Sequence, residues 1–357
     1  MTVFKVLSGE GLLWWRKSRI HSWKLPPPMA VLWDLTSRCN LSCRHCVVSA
    51  GSPNPGELGI DTCRRLIDEM AGFGVQQLIL SGGEPLLRPD FFEIAEYAHK
   101  RGLSLQIATN ATIVTRDVAR RLKAIGACVQ ASLDSIDPVV HDELRQCKGS
   151  WKRAVKGIKL LVKNDVPVTI AALVTKNTIA QIPELYDFSA ELGVQTFRIL
   201  PFVPSGRGSR AKDMEVSPVE MKCITEYLAR RRNDVGLPVA PMEFECTLEH
   251  EQGIAHPQTR IGCDGGVAYC TITSDGEVLP CNYFSGVRTE NVKDTSFSWI
   301  WDNSHFLNYF RSLTVSDIHG ICQGCKWLIR CRGSCLAANF THGDIFQSNC
   351  HCWIVCP

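Results

Sequence analysis

Residues 37–46 read Ser37-Arg38-Cys39-Asn40-Leu41-Ser42-Cys43-Arg44-His45-Cys46, and the three cysteines decide how the rest of the chain is read. A [4Fe–4S] cluster is normally held by four cysteine thiolates. A C-x3-C-x2-C run offers three close ones, so one iron is left open to another ligand. Upstream lies a strand-like run, Val31-Leu32-Trp33-Asp34-Leu35-Thr36. Downstream, the element Ser81-Gly82-Gly83-Glu84-Pro85 ends a second such run.

Working outward, residues 29–201 alternate strand and helix. Strands are expected at 29–36, 75–81, 104–109, 127–134, 166–175 and 194–201. Helical patterns fall between them, at 61–72, 89–101 and 182–192. About thirty residues per strand is the spacing of right-handed βαβ units. Six units make an α/β fold, an open partial (β/α)6 barrel, with functional groups gathered at the strand C-termini. The cysteine loop, the Gly-Gly-Glu-Pro turn, Thr109-Asn110 and Ser132-Leu133-Asp134 all fall at those ends.

The cysteine run and the Gly-Gly-Glu-Pro turn together resemble the radical S-adenosylmethionine (AdoMet) superfamily. The resemblance covers residues 29–201. It implies that Cys39, Cys43 and Cys46 ligate a catalytic cluster whose open iron binds the methionine end of AdoMet. His45 matches a position near the adenine; a lone histidine is also an ordinary structural residue. Gly82, Gly83 and Glu84 resemble the element that receives the methionine amino group. Glycines permit close backbone approach, and a carboxylate suits an ammonium. Ser132 and Arg145 match positions that hold the ribose and carboxylate of AdoMet. The alternative for Arg145 is a charge on a helix surface, and Thr109 and Asn110 serve equally as turn formers. The implied chemistry is reductive cleavage of AdoMet to a 5′-deoxyadenosyl radical, which abstracts hydrogen from an unactivated carbon.

Composition sets the class. The chain has 357 residues, room for one large domain and a smaller one. A net charge of +3 is too small to argue for nucleic acid. No apolar run approaches the ~20 residues of a membrane span. The N-terminus does not read as a signal peptide, because Glu10, Arg16, Lys17 and Arg19 interrupt its apolar residues. Of 18 cysteines, ten lie between Cys263 and Cys356. Without a secretory signal this reads as metal binding in a cytoplasmic protein. The expected organisation is an N-terminal arm at 1–28, the barrel at 29–201, a connecting segment at 202–260 and a cysteine-rich auxiliary-cluster domain at 261–357. The arm carries Trp14, Trp15 and Trp23 among basic residues, then Pro26-Pro27-Pro28. It reads as a segment packed on the barrel or as a flap.

In the last domain, Gly276-x4-Cys281 precedes Cys322-x2-Cys325-x5-Cys331-x3-Cys335. This pattern resembles the SPASM extension of radical AdoMet enzymes. It implies two auxiliary [4Fe–4S] clusters beside the catalytic one, three in all. By that resemblance Cys263, Cys270, Cys281 and Cys335 hold the first. Cys322, Cys325, Cys331 and Cys350 hold the second, with Cys352 a rival for the last place. A structural zinc on the C-x2-C run is the other reading. Cys63, Cys128, Cys147, Cys223 and Cys246 have no cluster spacing and read as ordinary thiols.

Auxiliary clusters imply net oxidation: a crosslink, a dehydrogenation or a decarboxylation. Full cysteine ligation favours an electron relay over substrate binding at iron. Sulfatase maturases place an aspartate after the equivalent of Cys281; Asn282 stands here, which argues against formylglycine formation. A ribosomal peptide is the leading substrate. With no leader-binding domain before the barrel, a separate leader-binding protein is expected. Tetrapyrrole side-chain modification in haem biosynthesis, and dehydrogenation or epimerisation of a sugar or other small metabolite, are the alternatives. A reductant such as flavodoxin or ferredoxin completes the partners.

Overall fold

The computed structural model describes residues 25–242, 260–348 and 351–354. The arm's tryptophans, Cys246, Cys350 and Cys356 lie outside the described residues.

Six parallel strands form the barrel wall: β1 (Ala30–Thr36), β2 (Gln77–Gly82), β3 (Ser104–Thr109), β4 (Cys128–Ser132), β5 (Val168–Val174) and β6 (Thr196–Pro201). Each expected strand is present within two residues at either end. The helices between them are α1 (Ile60–Phe73), α2 (Phe91–Lys100), α3 (Arg116–Ala124), α4 (Pro138–Arg145), α5 (Ser150–Lys163) and α6 (Ile182–Glu191). A longer helix, α7 (Pro218–Val235), follows and starts with a Ser217/Glu220 capping box.

Local chemistry explains these elements. In α1 the buried residues Cys63, Leu66, Ile67 and Met70 recur at helical spacing, so one stripe faces the sheet. Gly74 ends the helix at φ 106°, its N–H returned to Ala71 and Met70 carbonyls. Strand side chains alternate between two faces. Val31, Trp33 and Leu35 pack outward beneath the helices, all at 0 % exposure. Leu32 and Asp34 point the other way, into the lumen.

The lumen is polar. Gln77 donates to Gln106 at 3.4 Å, Gln106 to Gln130 at 3.4 Å, and Arg198 to Gln130 at 3.5 Å. This row lies below Asp34, Ser81, Ala108 and Ser132, which carry the same face of β1–β4 up to one cavity.

The sheet does not stop at the barrel. A short strand of the cysteine-rich region, β7 (Tyr269–Ile272), pairs parallel with β1 from Ala30↔Tyr269 to Trp33↔Ile272. An antiparallel partner, β8 (Val278–Leu279), follows, giving the order β6-β5-β4-β3-β2-β1-β7-β8. Four further helices close the region: α8 (Phe297–Asn303), α9 (His305–Ser312), α10 (Leu328–Cys331) and α11 (Leu336–Thr341). Trp301, Phe297, Phe284 and Phe310 are buried there in a core continuous with that of the barrel. No helix among the described residues is long and apolar enough to cross a membrane.

Candidate active site

The cysteine loop leaves β1 and is tied shut at its base. Cys39 N–H donates to the Gly51 carbonyl at 2.9 Å, and Gly51 N–H to Ser37 at 2.8 Å. Glu57 accepts from Ser37 N–H at 2.8 Å, Thr36 Oγ1 at 2.9 Å and Asn54 N–H at 3.2 Å. Burial raises its pKa, but these bonds outweigh it and hold Glu57 below its ordinary value. The β2 turn braces the loop from beside: Gly83 N–H reaches the Thr36 carbonyl at 2.7 Å and Glu84 N–H the Arg38 carbonyl at 2.8 Å. Only glycine fits here. A Cβ on Gly82 (φ 125°) would collide with the Thr36 carbonyl, and one on Gly83 with the Arg38 carbonyl.

Cys39, Cys43 and Cys46 line one cavity of about 180 Å³ that is partly open to solvent. Each sulfur sits near a donor. Leu41 N–H lies 3.4 Å from Cys39 Sγ, Ala50 N–H 3.2 Å from Cys46 Sγ, and Arg145 Nη1 3.8 Å from Cys43 Sγ. Hydrogen bonds to sulfur favour thiolates and tune an iron–sulfur cluster. His45, Gly82, Gly83, Ser132 and Arg145 line the same cavity. His45 Nδ1 is enclosed without a partner. Burial, with Arg145 beside it, pushes that imidazole down to about 3, so it is neutral and can accept a hydrogen bond. Three thiols, an unpartnered acceptor and a glycine-walled ledge fit a cluster and an AdoMet molecule.

One expected contact comes out differently. Glu84 lies behind the cavity wall at 0 % exposure. Its oxygens accept from Thr109 Oγ1 at 2.8 Å, Asn110 N–H at 2.8 Å and Leu86 N–H at 3.2 Å. It is a strut between the ends of β2 and β3; Gly82 and Gly83 face the cavity in its place. Arg145 is not on the helix surface: its fork closes on Asp134, Nε to Oδ2 at 2.6 Å and Nη2 to Oδ1 at 3.0 Å. Burial pushes the Asp134 carboxyl up, but the guanidinium outweighs it and holds the pKa far below the ordinary value. Only Nη1, the arm toward Cys43, remains for a ligand.

Two residues, Arg207 and Asp34, were not singled out from sequence. Arg207 follows β6 and clamps the cysteine loop, Nε to the Cys43 carbonyl at 2.7 Å and Nη1 to the Ala50 carbonyl at 3.0 Å. Gly206 lets it approach, because a Cβ there would collide with the Val47 carbonyl. Asp34, with Val48 and Asn282, lines both this cavity and a second one of about 310 Å³ between the end of β1 and the β7–β8 turn.

Burial pushes the Asp34 carboxyl up to about 7, against a hydrogen bond from Ser81. Between its ordinary 3.8 and about 7, the folded chain therefore holds a proton that the unfolded chain has released. That contribution to stability shrinks as pH rises through the window and is constant above it. Asp34→Asn is expected to gain stability relative to the parent, by up to about 2 kcal/mol, between pH 5.5 and 7.5. Urea unfolding at both pH values measures this; an unchanged difference refutes it.

In the cysteine-rich region, Cys281 lies within electrostatic reach of Cys263, Asp34 and Tyr269. The Cys263 sulfur is near Gly265 and accepts from Leu336 N–H, next to Cys335. Cys322, Cys325 and Cys331 share one unit, a short turn (Gly320–Gly324) running into α10. Cys270 does not join Cys263 and Cys281. On β7 it is paired with Val31, whose side chain points under the helices, and the charge beside it is Arg311 of α9.

A parallel half-barrel with three cysteines at its first strand end, and a cysteine-rich region welded to that strand, defines a radical AdoMet fold with an auxiliary domain. Residues 33–189 match the radical SAM superfamily and 261–326 an iron–sulfur cluster-binding domain. The AdoMet-dependent heme synthase of Methanosarcina barkeri is 32% identical over 340 residues, 91% of this chain and 96% of that protein. Mycofactocin maturase MftC of Mycobacterium tuberculosis is 32% identical over 330 residues, 89% and 81% of the two chains. Among solved structures, SuiB of Streptococcus suis bound to its precursor peptide SuiA superimposes with a TM-score of 0.75 at 18% identity, over 92% of this chain and 76% of that one. The chain belongs to the radical SAM superfamily and is an enzyme with an iron–sulfur cluster-binding SPASM domain.

Proposed function

We propose that the chain carries out a net oxidation of a peptide: a crosslink, a dehydrogenation or a decarboxylation. The observation that carries this is the second chamber. It shares Asp34, Val48 and Asn282 with the cysteine cavity and is walled by Thr36, Ser37, Thr271, Ser274, Asp275 and Glu277. Hydroxyls and carboxylates suit peptide N–H groups and cationic side chains. A tetrapyrrole with several carboxylates calls for several available cations. The chamber's cation is Arg288, already 2.8 Å from Glu277 and 3.5 Å from Asp275.

When bound, AdoMet and the catalytic cluster supply a carbon-centred oxidant that takes hydrogen from an unactivated C–H bond. Cys39, Cys43 and Cys46 would hold the cluster. His45, Gly82, Gly83, Ser132 and the Nη1 arm of Arg145, which also faces Cys43, would hold AdoMet. Arg207 and Glu57 keep the loop in place, and Val47, Val48 and Ala50 limit water at the cavity wall. Two auxiliary [4Fe–4S] clusters, a flavodoxin or ferredoxin reductant, a separate leader-binding protein and a cytoplasmic setting belong to the same reading.

A tetrapyrrole substrate is the second reading, favoured by the 32% identity to the M. barkeri heme synthase. Anaerobic 5′-deoxyadenosine release tests both. The peptide encoded beside the gene is expected to stimulate release and to lose two hydrogens or a carboxyl group. Stimulation by an iron porphyrin and not by peptide would transfer the proposal to the second reading.

A further inference from the structure

Of the described cysteines, Cys63 and Cys270 are at 0 % exposure. Cys63 packs in the stripe of α1 and has no cluster spacing. Cys39, Cys46, Cys263, Cys281, Cys325, Cys331 and Cys335 are half-buried, and the two buried cysteines also expected as ligands, Cys43 and Cys322, keep 8 % and 7 % exposure. A ligand to a bulky inorganic cluster needs an accessible sulfur, and Cys270 lacks one.

Strand geometry gives the same answer independently. Neighbouring residues on a strand face opposite sides. Tyr269 and Asp34 lie within reach of Cys281, on the lumen side. Cys270 therefore points to the opposite side of the sheet, with Val31 and Arg311. Arg311 is itself fixed there by the Gly266 and Trp301 carbonyls, both at 2.5 Å. For Cys270 to join Cys263 and Cys281, β7 would have to slip by one residue, which reverses every side chain on it.

We infer that, of the described cysteines, three hold the first auxiliary cluster, Cys263, Cys281 and Cys335, and that one of its irons takes a nitrogen or oxygen donor that is not a cysteine. The inference rests on the auxiliary-cluster part of the proposed function and is independent of the peptide substrate. Asn282 follows Cys281 directly, its Oδ1 3.4 Å from the Cys281 sulfur, and it lines both cavities. A substrate in the second chamber would thus have a route to bind iron directly. Full cysteine ligation, expected from the sequence pattern, gives no such route.

The test begins with iron and sulfide counts and Mössbauer spectra of the anaerobically reconstituted full chain. Cys270→Ala is expected to keep the parent's iron, and Cys263→Ala to lose about four atoms per chain. A second measurement leaves Cys270 untouched. In a chain with Cys39, Cys43 and Cys46 all replaced by alanine, reduced with dithionite, added 13C-cyanide is expected to give a 13C ENDOR coupling. That coupling should vanish when Cys263→Ala is added. Loss of about four irons in Cys270→Ala with an intact circular dichroism spectrum, or absence of the 13C coupling, overturns the inference. A parent chain holding only about four irons would overturn it together with the proposed cluster count.

Discussion

Cys43→Ala is expected to reduce 5′-deoxyadenosine formation to background while the auxiliary clusters survive. Cys43 is the most enclosed of the three cysteines proposed to hold the catalytic cluster, at 8 % exposure, and the one that Arg145 faces. Without it only two thiols remain in the cavity, too few to retain a four-iron cluster. Iron should fall from about twelve to about eight atoms per chain. The loop itself should persist, because its closure runs through backbone bonds of Cys39, Gly51, Gly83 and Glu84. Anaerobic assay with dithionite, read by chromatography of the nucleoside, separates the two effects. Measurable cleavage in this variant would remove the catalytic assignment.

Asp134→Asn is expected to cost about 3–5 kcal/mol of stability. Asp134 has 0 % exposure and Arg145 8 %. The pair also anchors β5, since Leu173 N–H donates to Asp134 Oδ1 at 3.1 Å. Asparagine keeps the shape but leaves the Arg145 charge buried without its counterion. Replacing both residues by apolar ones of similar size, Asp134→Leu with Arg145→Met, should recover much of the loss. Urea unfolding of the two variants measures this. A cost under about 1 kcal/mol for the single change would show that the charge is solvated or paired elsewhere. The double variant should still be impaired in AdoMet cleavage, because Cys43 has lost its donor.

The strands were legible because each is a short apolar run set off by a turn and repeated at βα spacing. That Cys39, Cys43 and Cys46 come together in one cavity was legible from their spacing beside the Gly-Gly-Glu-Pro turn. What escaped is long-range. Asp34 reads as one polar residue in an apolar strand, and only β7 and Asn282 beside it show that it faces two cavities. Arg207 sits in a glycine- and serine-rich loop far in sequence from the carbonyls it binds. Glu84 and Arg145 were placed near AdoMet by pattern; their partners Thr109, Asn110 and Asp134 lie 25, 26 and 11 residues away. Cys270 was counted with its neighbours because spacing records order along the chain and not the face of a strand. β7 and β8, four residues and two, are too short to announce themselves by alternation.

The pairing of β1 with β7 has a consequence for dissection. A strand at the rim of a sheet exposes a row of unpaired N–H and C=O groups and invites other chains. One rim of this half-barrel is covered by the segment around Val239: Phe197 N–H binds the Pro238 carbonyl and Ala240 N–H the Phe197 carbonyl, each at 2.9 Å. The other is covered by β7. A chain cut off before Tyr269 would leave β1 bare, its Val31, Trp33 and Leu35 on a template for self-association. The cysteine-rich region therefore covers an edge of the half-barrel that would otherwise be open to other chains, and loss of solubility on truncation would say nothing about redox chemistry.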